Sequence, residues 1–500
     1  MAAVDVVIVG AGAAGCVLAA RLSEDPARRV LLLEAGPDYP EPDLLPEDLA
    51  SGWAPAFSHD WGFTAEPNAG GTRLALTRAR VVGGCSQTNA TLALRGSPAD
   101  YDAWGNGWSW EEVLPYFRRL ESDLDFGDQA WHGHDGPLPI RRYGPQELTP
   151  WQAAGLDVLL VRRHARVADH NRPGATGAGP VPVNTIDGRR ISVASAYLAS
   201  ARSRPNLELR PDTMASRIVM RGERAVGVEV DGSVVDADTV VLCAGAFGSP
   251  TMLLRSGIGD PAQLREHGIH PVIELAGVGE NLADHPLWFV EVPLAPPAAA
   301  GPRHQVIATW RSSIADGPYP YDMQHLIGGP REVDADGRTE CVGSIAAGLM
   351  KPRSLGHVRL RSADPADPPI IDPAFLAHPD DVARFVEGIR RCREFLATDP
   401  IARQTDGPAL DPAVEVTEGE ELAAVARTHA GTYFHPVGTC RLGDDPGDGA
   451  VVDARCRVHG AEHLWVVDAS VMPEIPTANT HLPTIMIAER AADWLGDEQQ

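Results

Sequence analysis

The chain has 500 residues, 44% of them hydrophobic, and a formal net charge of −25. That length exceeds what one hydrophobic core usually serves, so two lobes are expected, and the acidic balance argues against nucleic acid and anionic membrane surfaces as partners. No apolar run approaches the roughly 20 residues of a membrane span. No basic leader precedes the first apolar segment, and the seven cysteines are scattered without a C-x-x-C pair; a cytoplasmic protein with neither a disulfide framework nor a metal site is expected.

In chain order, Val4 to Val9 is a short β-branched run of the kind buried on both faces of a parallel sheet. It ends in Gly10-Ala11-Gly12-Ala13-Ala14-Gly15, a G-x-G-x-x-G turn, and Ala13 to Leu22 has helix-forming composition. A second apolar run, Val30 to Leu33, finishes in Glu34. Strand, glycine turn, helix, strand and acid in that order form a dinucleotide-binding fingerprint: the glycines admit a pyrophosphate at the helix N-terminus, and the acid accepts from a ribose hydroxyl. Glu34 would repel a 2′-phosphate, which leaves FAD or NAD and not NADP.

Pro37 to Pro46 is too rich in proline for regular structure. Arg80 to Asn89 pairs two glycines with small polar residues, a loop that lets backbone come close to a flat ligand. Ser109 with Glu112 predicts a capped helix running to Leu120. Asn206 to Ile218 reads as one strand and Ala225 to Val230 as a hairpin strand. Asp238 to Leu242 is a second buried strand ending in small residues, and Gly277 to Pro286 is again glycine-rich. Residues 287 to about 427 change character, with strand-like pieces at Trp288 to Val292 and His357 to Leu360 and an amphipathic helix near Asp381 to Ala397. Leu464 to Val467 is a third buried strand ending at Asp468, and Asn479 to Thr484 opens a final helix.

Five separated blocks together resemble the glucose-methanol-choline (GMC) oxidoreductases over almost the whole length: the N-terminal fingerprint with Glu34, residues 79–89, 245–259 and 277–286, and the pair 435–443 and 466–493. The resemblance implies FAD and an α/β fold with a Rossmann-type FAD domain (1–160, 200–286 and 430–500) interleaved with a substrate domain (161–199 and 287–429) built on an antiparallel sheet with helices. Gly10, Gly12, Ala13, Ala14, Gly15, Glu34 and Ala35 match the family's adenosine and pyrophosphate site. Arg80, Val82, Gly84 and Asn89 match its flavin-covering loop, Ala215 an adenine contact, and Asp468, Ala469 and Leu482 its flavin-proximal turn and last helix. Thr88 stands where some members carry a histidine bonded covalently to the flavin, so the FAD is expected to be non-covalent.

The resemblance places the catalytic pair on His435 and His481. Oxidising an alcohol requires a neutral base within hydrogen-bond reach of the hydroxyl while the α-hydride leaves, and an unperturbed imidazole is suited to that at neutral pH. His435 is assigned as base and His481 as the group that binds the substrate oxygen. His285, His459 and His463 read as structural, Cys440 as packing, and Trp288, Phe289, Tyr321, Met323 and His325 as either cavity wall or core. The implied reaction is oxidation of a primary, uncharged alcohol to an aldehyde by hydride transfer to flavin, with O2 or another acceptor taking the electrons. A hydroxynitrile lyase on the same fold is the alternative. Oligomeric state is not legible.

Overall fold

The computed structural model describes residues 4–68, 70–296, 300–335, 338–410, 416 and 418–497. Strand Val4–Val9 lies at the middle of the first sheet, parallel to Val30–Leu33 on one side and to Ser233–Leu242 on the other. Leu207–Arg210 extends the parallel arrangement beyond Val30–Leu33, and Leu464–Val466 pairs with the end of Ser233–Leu242. Every residue of Val30–Leu33 and Leu464–Val466 is buried, which is why these segments read as unbroken apolar runs. Helix Ala13–Leu22 connects the first two strands and packs on the terminal helix His481–Asp497. Their contact is fastened by Arg21 Nη2 on Glu489 at 2.9 Å, whose Oε1 also accepts from Tyr197 Oη at 2.7 Å.

The expected strand Asn206 to Ile218 is two strands on opposite edges. Leu207–Arg210 closes one edge, while Ala215–Arg221 forms an antiparallel hairpin with Arg224–Val230 at the other. Pro211, which has no amide hydrogen, and Asp212, at φ 48°, break the run. The turn is tied to the second strand's end by Thr213 N–H on Glu34 O at 2.7 Å and Asp212 N–H on Gly36 O at 2.9 Å.

The second sheet has six antiparallel strands in the order Gly431–Thr432, Pro286–Pro293, Arg338–Leu349, Met323–Ala335, Val306–Trp310 and Ala178–Pro180. Strand alternation gives it two apolar faces. Trp288, Val290, Val306, Ile345 and Ala347 lie on the face covered by helices Pro150–Val161 and Pro379–Leu396, whereas Leu287, Ile307, Leu326 and Ala346 face the first lobe. Helix Pro150–Val161, expected in the FAD domain, packs on this sheet instead. Trp151 Nε1 donates to Gly328 O at 2.8 Å, and its ring fills the space over Gly343, where a Cβ would approach it to 2.4 Å. Conversely Val193, Tyr197 and Leu198 belong to the first core. The two-lobe division stands as our proposal with those two segments exchanged.

Candidate active site

A cavity of about 560 Å3 lies between the strand ends of the first sheet and the inner face of the second. Of the site residues expected from the sequence, Gly10, Gly12, Ala13, Ala14, Glu34, Ala35, Gly84, Asn89, Ala215, Asp468, Ala469, His435 and His481 line it. Gly10 takes φ +100°, and a Cβ there would stand 2.5 Å from Cys243 O; Gly84 takes φ +50° with its Cβ position 2.6 Å from Gly12 Cα. Side chains at either position would close the channel in which two backbone turns meet. Glu34 ends the second strand with Oε2 accepting from Ala11 N–H at 3.0 Å and Oε1 from Gly36 N–H at 2.9 Å. Burial lifts its carboxyl to about 7 against those two N–H donors.

Four of the expected binding residues act from behind this wall, outside its lining. Gly15 lets helix meet strand, since a Cβ would fall 1.9 Å from Gly10 O. Arg80 points outward, stacking on Trp61 while its Nε donates to Ala35 O at 3.0 Å. Val82 and Leu482 are apolar core. The loop around Gly84 is held from outside by Arg190, whose buried guanidinium donates to Leu49 O at 2.5 Å, Ala54 O at 2.7 Å, Gln87 O at 2.8 Å and Asn89 O at 3.0 Å. An arginine facing only carbonyls carried no sequence signal.

Asp468 joins the third strand's end to the helix Gly245–Arg255: its Oδ2 accepts from Ser249 Oγ at 2.6 Å and Gly245 N–H at 2.8 Å. Strand and helix ends are thereby fixed on the cavity floor.

At the far end, His435 N–H donates to Asp284 Oδ1 at 2.9 Å and its ring lies 4.5 Å from that of Tyr433. Phe434, the residue before it, has φ 65°, an uncommon conformation for a bulky side chain, secured by its N–H on Thr432 Oγ1 at 2.7 Å and by Arg78 Nη2 on its carbonyl at 3.0 Å. His435 Nδ1 is 2.9 Å from His285 Nδ1, and His285 Nε2 is 3.2 Å from Met350 O. A carbonyl only accepts, so His285 Nε2 carries the hydrogen and its Nδ1 is a lone pair. His435 must then carry its hydrogen on Nδ1, which leaves Nε2 as the basic nitrogen on the Asn479 Nδ2 side, 3.0 Å away. Burial, with His285 and Arg78 adding to it, holds His435 well below the usual histidine range, and burial takes His481 to about 4; both rings are neutral at pH 7. His481 Nε2 is buried and unpartnered, as is Asn479 Oδ1.

His285, read from the sequence as structural, is thus the hydrogen-bond partner of His435, and Asn479, to which the sequence drew no attention, meets the other nitrogen of the same ring. Of the aromatic and methionine candidates only Phe289 reaches the cavity. Trp288 and Met323 sit on the sheet face that packs against helices, and His325 is stacked on Trp310 at 5.2 Å. Cys440 is buried in the first core. Away from the cavity, Glu121, Asp123 and His132 converge. Their carboxylates are engaged by Arg95 and Arg142, the latter also on Asp169 at 2.8 Å. Guanidinium ions hold the positions a cation would take.

The glycine channel, a helix N-terminus, a terminal acid and a chamber walled by neutral histidines define a dinucleotide-dependent oxidoreductase. The comparisons specify it: the N- and C-terminal profiles of GMC oxidoreductases match residues 4–287 and 352–488, and the chain belongs to that family. It is 37% identical over 539 aligned residues to a 5-(hydroxymethyl)furfural oxidase of Methylovorus sp. (strain MP688), covering 98% of each chain. It is 36% identical to an oxygen-dependent choline dehydrogenase of Escherichia coli (strain K12), covering 99% of this chain and 96% of that one. The crystal structure of a pyridoxine 4-oxidase from Mesorbium loti superposes with a TM-score of 0.90 at 33% identity, covering 99% of both. The chain is therefore an FAD-dependent enzyme oxidising CH–OH donors, in the mixed α/β architecture of that family. Among the described residues, no helix is long and apolar enough to cross a membrane.

Proposed function

We propose that the enzyme converts a primary alcohol to an aldehyde in the chamber between His435 and His481, with His435 as base. The observation that carries this reading is the fixed tautomer of His435, which keeps a neutral, basic Nε2 in the cavity that His481, with its unpartnered Nε2, also lines. The channel, Glu34 and Asp468 fit FAD at the other end, and FAD, when bound, supplies the hydride acceptor. The chain's own part is to hold the hydroxyl between two imidazoles, take its proton at His435 Nε2 as the α-hydride departs, and shed that proton to solvent. His481 steadies the oxygen while it carries alkoxide character. Both rings being neutral, no salt bridge has to break before the proton moves. The oxidases and dehydrogenases among its relatives give no support to the lyase alternative.

Mixing the yellow holoenzyme anaerobically with a panel of primary alcohols tests this: the flavin absorbance bleaches, and His435→Ala slows bleaching by about 10²–10⁴-fold while retaining the cofactor. Fast bleaching by that variant would overturn the assignment. Recovery within seconds of aeration identifies O2 as acceptor; slow recovery identifies another. Thr88 lines the cavity and offers no imidazole for a flavin bond, so acid precipitation releases the FAD into the supernatant. All seven cysteines are free, which supports the cytoplasmic location, checked by cell fractionation.

A further inference from the structure

The second sheet brings one more charged group to the cavity wall. Arg303 precedes strand Val306–Trp310 with its backbone fixed: its N–H donates to Trp53 O at 2.7 Å, and its carbonyl accepts from Gly329 N–H at 2.9 Å and Gln152 Nε2 at 3.0 Å. The side chain lines the cavity with Phe289, His304 and Leu326. Its guanidinium makes no hydrogen bond or ion pair with any described residue. The charges that act on it are Arg331, which repels it, and Glu291, whose carboxylate is already held by Arg331. Burial, with Arg331 adding to it, depresses its pKa.

Elsewhere buried arginines are engaged: Arg95 with Glu121, Arg142 with Asp123 and Asp169, Arg384 with Asp381 at 2.7 Å, and Arg190 with backbone carbonyls. A half-buried guanidinium without a protein counter-charge is open to an anion, and its planar fork is suited to a carboxylate. The carboxylates lining the cavity are Glu34, Asp367 and Asp468. Glu34 and Asp468 are committed to backbone and serine donors, and Asp367 attracts Arg255. No acid is thus aimed at the Arg303 end.

We infer that Arg303 anchors the far end of the substrate, so that the chamber accepts primary alcohols bearing a carboxylate across a flat apolar spacer. The hydroxyl lies at His435 and His481, the spacer against Leu287, Phe289, Leu326 and Tyr433, and the carboxylate on the guanidinium. Leu287, clustered with Tyr433, and Phe289, stacked on His304 beside Arg303 in the chain, are two residues and so about 7 Å apart along one strand face, about the span of a para-substituted benzene ring. This departs from the uncharged alcohol expected from the sequence, and it disfavours a cationic alcohol, which Arg303 would repel. It rests on the alcohol-oxidising reading of the same chamber.

The test is calorimetric titration of the holoenzyme with two dead-end ligands, 4-methylbenzoate and 4-methylbenzamide, alongside flavin reduction by their 4-(hydroxymethyl) counterparts. The native enzyme is expected to bind the benzoate about 10- to 100-fold more tightly than the amide. Arg303→Gln brings that ratio near one with the flavin spectrum unchanged in shape, and Arg303→Lys restores part of it. Equal affinities in the native enzyme, or a preference that survives in Arg303→Gln, would overturn the inference. A binding preference without bleaching by either alcohol leaves the anion site standing and removes the oxidation reading. Bleaching by the hydroxymethyl amide with no binding preference removes the anion site alone.

Discussion

The ring of His435 is held between His285 and Asn479, and the chemistry assigned to it depends on which nitrogen keeps the hydrogen. Replacing His285 by phenylalanine removes the acceptor for Nδ1–H and frees the ring to present its protonated nitrogen to the alcohol. Flavin reduction is expected to slow by at least about tenfold, bounded by the ~10⁴-fold loss seen when a catalytic triad loses the group that sets its tautomer. His285→Gln, whose amide oxygen can accept from Nδ1, recovers a large part. A purely structural role would lower FAD content and thermal stability in both variants and would show no rescue of rate at full FAD occupancy. His435 and His481 were legible because each sits in a dense motif. His285 was not, because its role is created by the carbonyl of Met350, which the fold brings to it from 65 residues along the chain.

At the level of elements, Gly84 shows how closely two loops must meet. An added Cβ would stand 2.6 Å from Gly12 Cα, backbone against backbone, at a φ of +50°. Gly84→Ala therefore forces the covering loop off the pyrophosphate turn, and FAD should dissociate at least about tenfold more readily, seen as loss of yellow colour on dialysis. A variant that keeps its flavin through dialysis would mean the loop can shift without cost. Gly71→Ala, in open space, is the matched control, although its φ of +77° carries its own strain. The parallel strands and the glycine turn could be read from the sequence because burial on both faces leaves an unbroken apolar run and close approach leaves glycine. Strand partnership left no such trace. Asn206 to Ile218 passes as one strand, and only the tying of Asp212 and Thr213 to the Glu34–Gly36 corner shows why it divides. The lobe on which helix Pro150–Val161 packs is illegible for the same reason, since its apolar residues would suit either core.

For the whole molecule, the titrating groups predict an acid-labile fold. His170 is held at about 4 and His285, His304 and His325 at about 3, in each case chiefly by burial. Each is neutral in the native state while the unfolded chain takes up a proton below about 6.5, so its contribution is complete above that pH and is lost as pH falls. Four groups oppose this. Burial raises Glu34 to about 7, Asp284 to about 6 and Asp468 above the usual carboxylate range, so all three keep protons in the fold that the unfolded chain releases. For His132, burial favours the neutral ring, but hydrogen bonds to Asp169 and Glu121 prevail and raise its pKa, a gain present below 6.5 and lost at higher pH. With His164, His435 and His481, which burial also depresses, the histidines outnumber these, so the melting temperature should fall steadily from pH 7 to pH 5. His325 isolates one such proton: its ring is stacked on Trp310, edge-on to Phe395 at 5.0 Å, with Nε2 buried and unpartnered. His325→Phe removes the site from the native and unfolded states alike. Between pH 4.5 and 6 the slope of unfolding free energy with pH should then decrease by about 1.4 kcal/mol per pH unit, whatever the substitution does to absolute stability. Denaturant titrations of the two holoenzymes across that range measure it, and parallel slopes would show that His325 is already protonated in the fold.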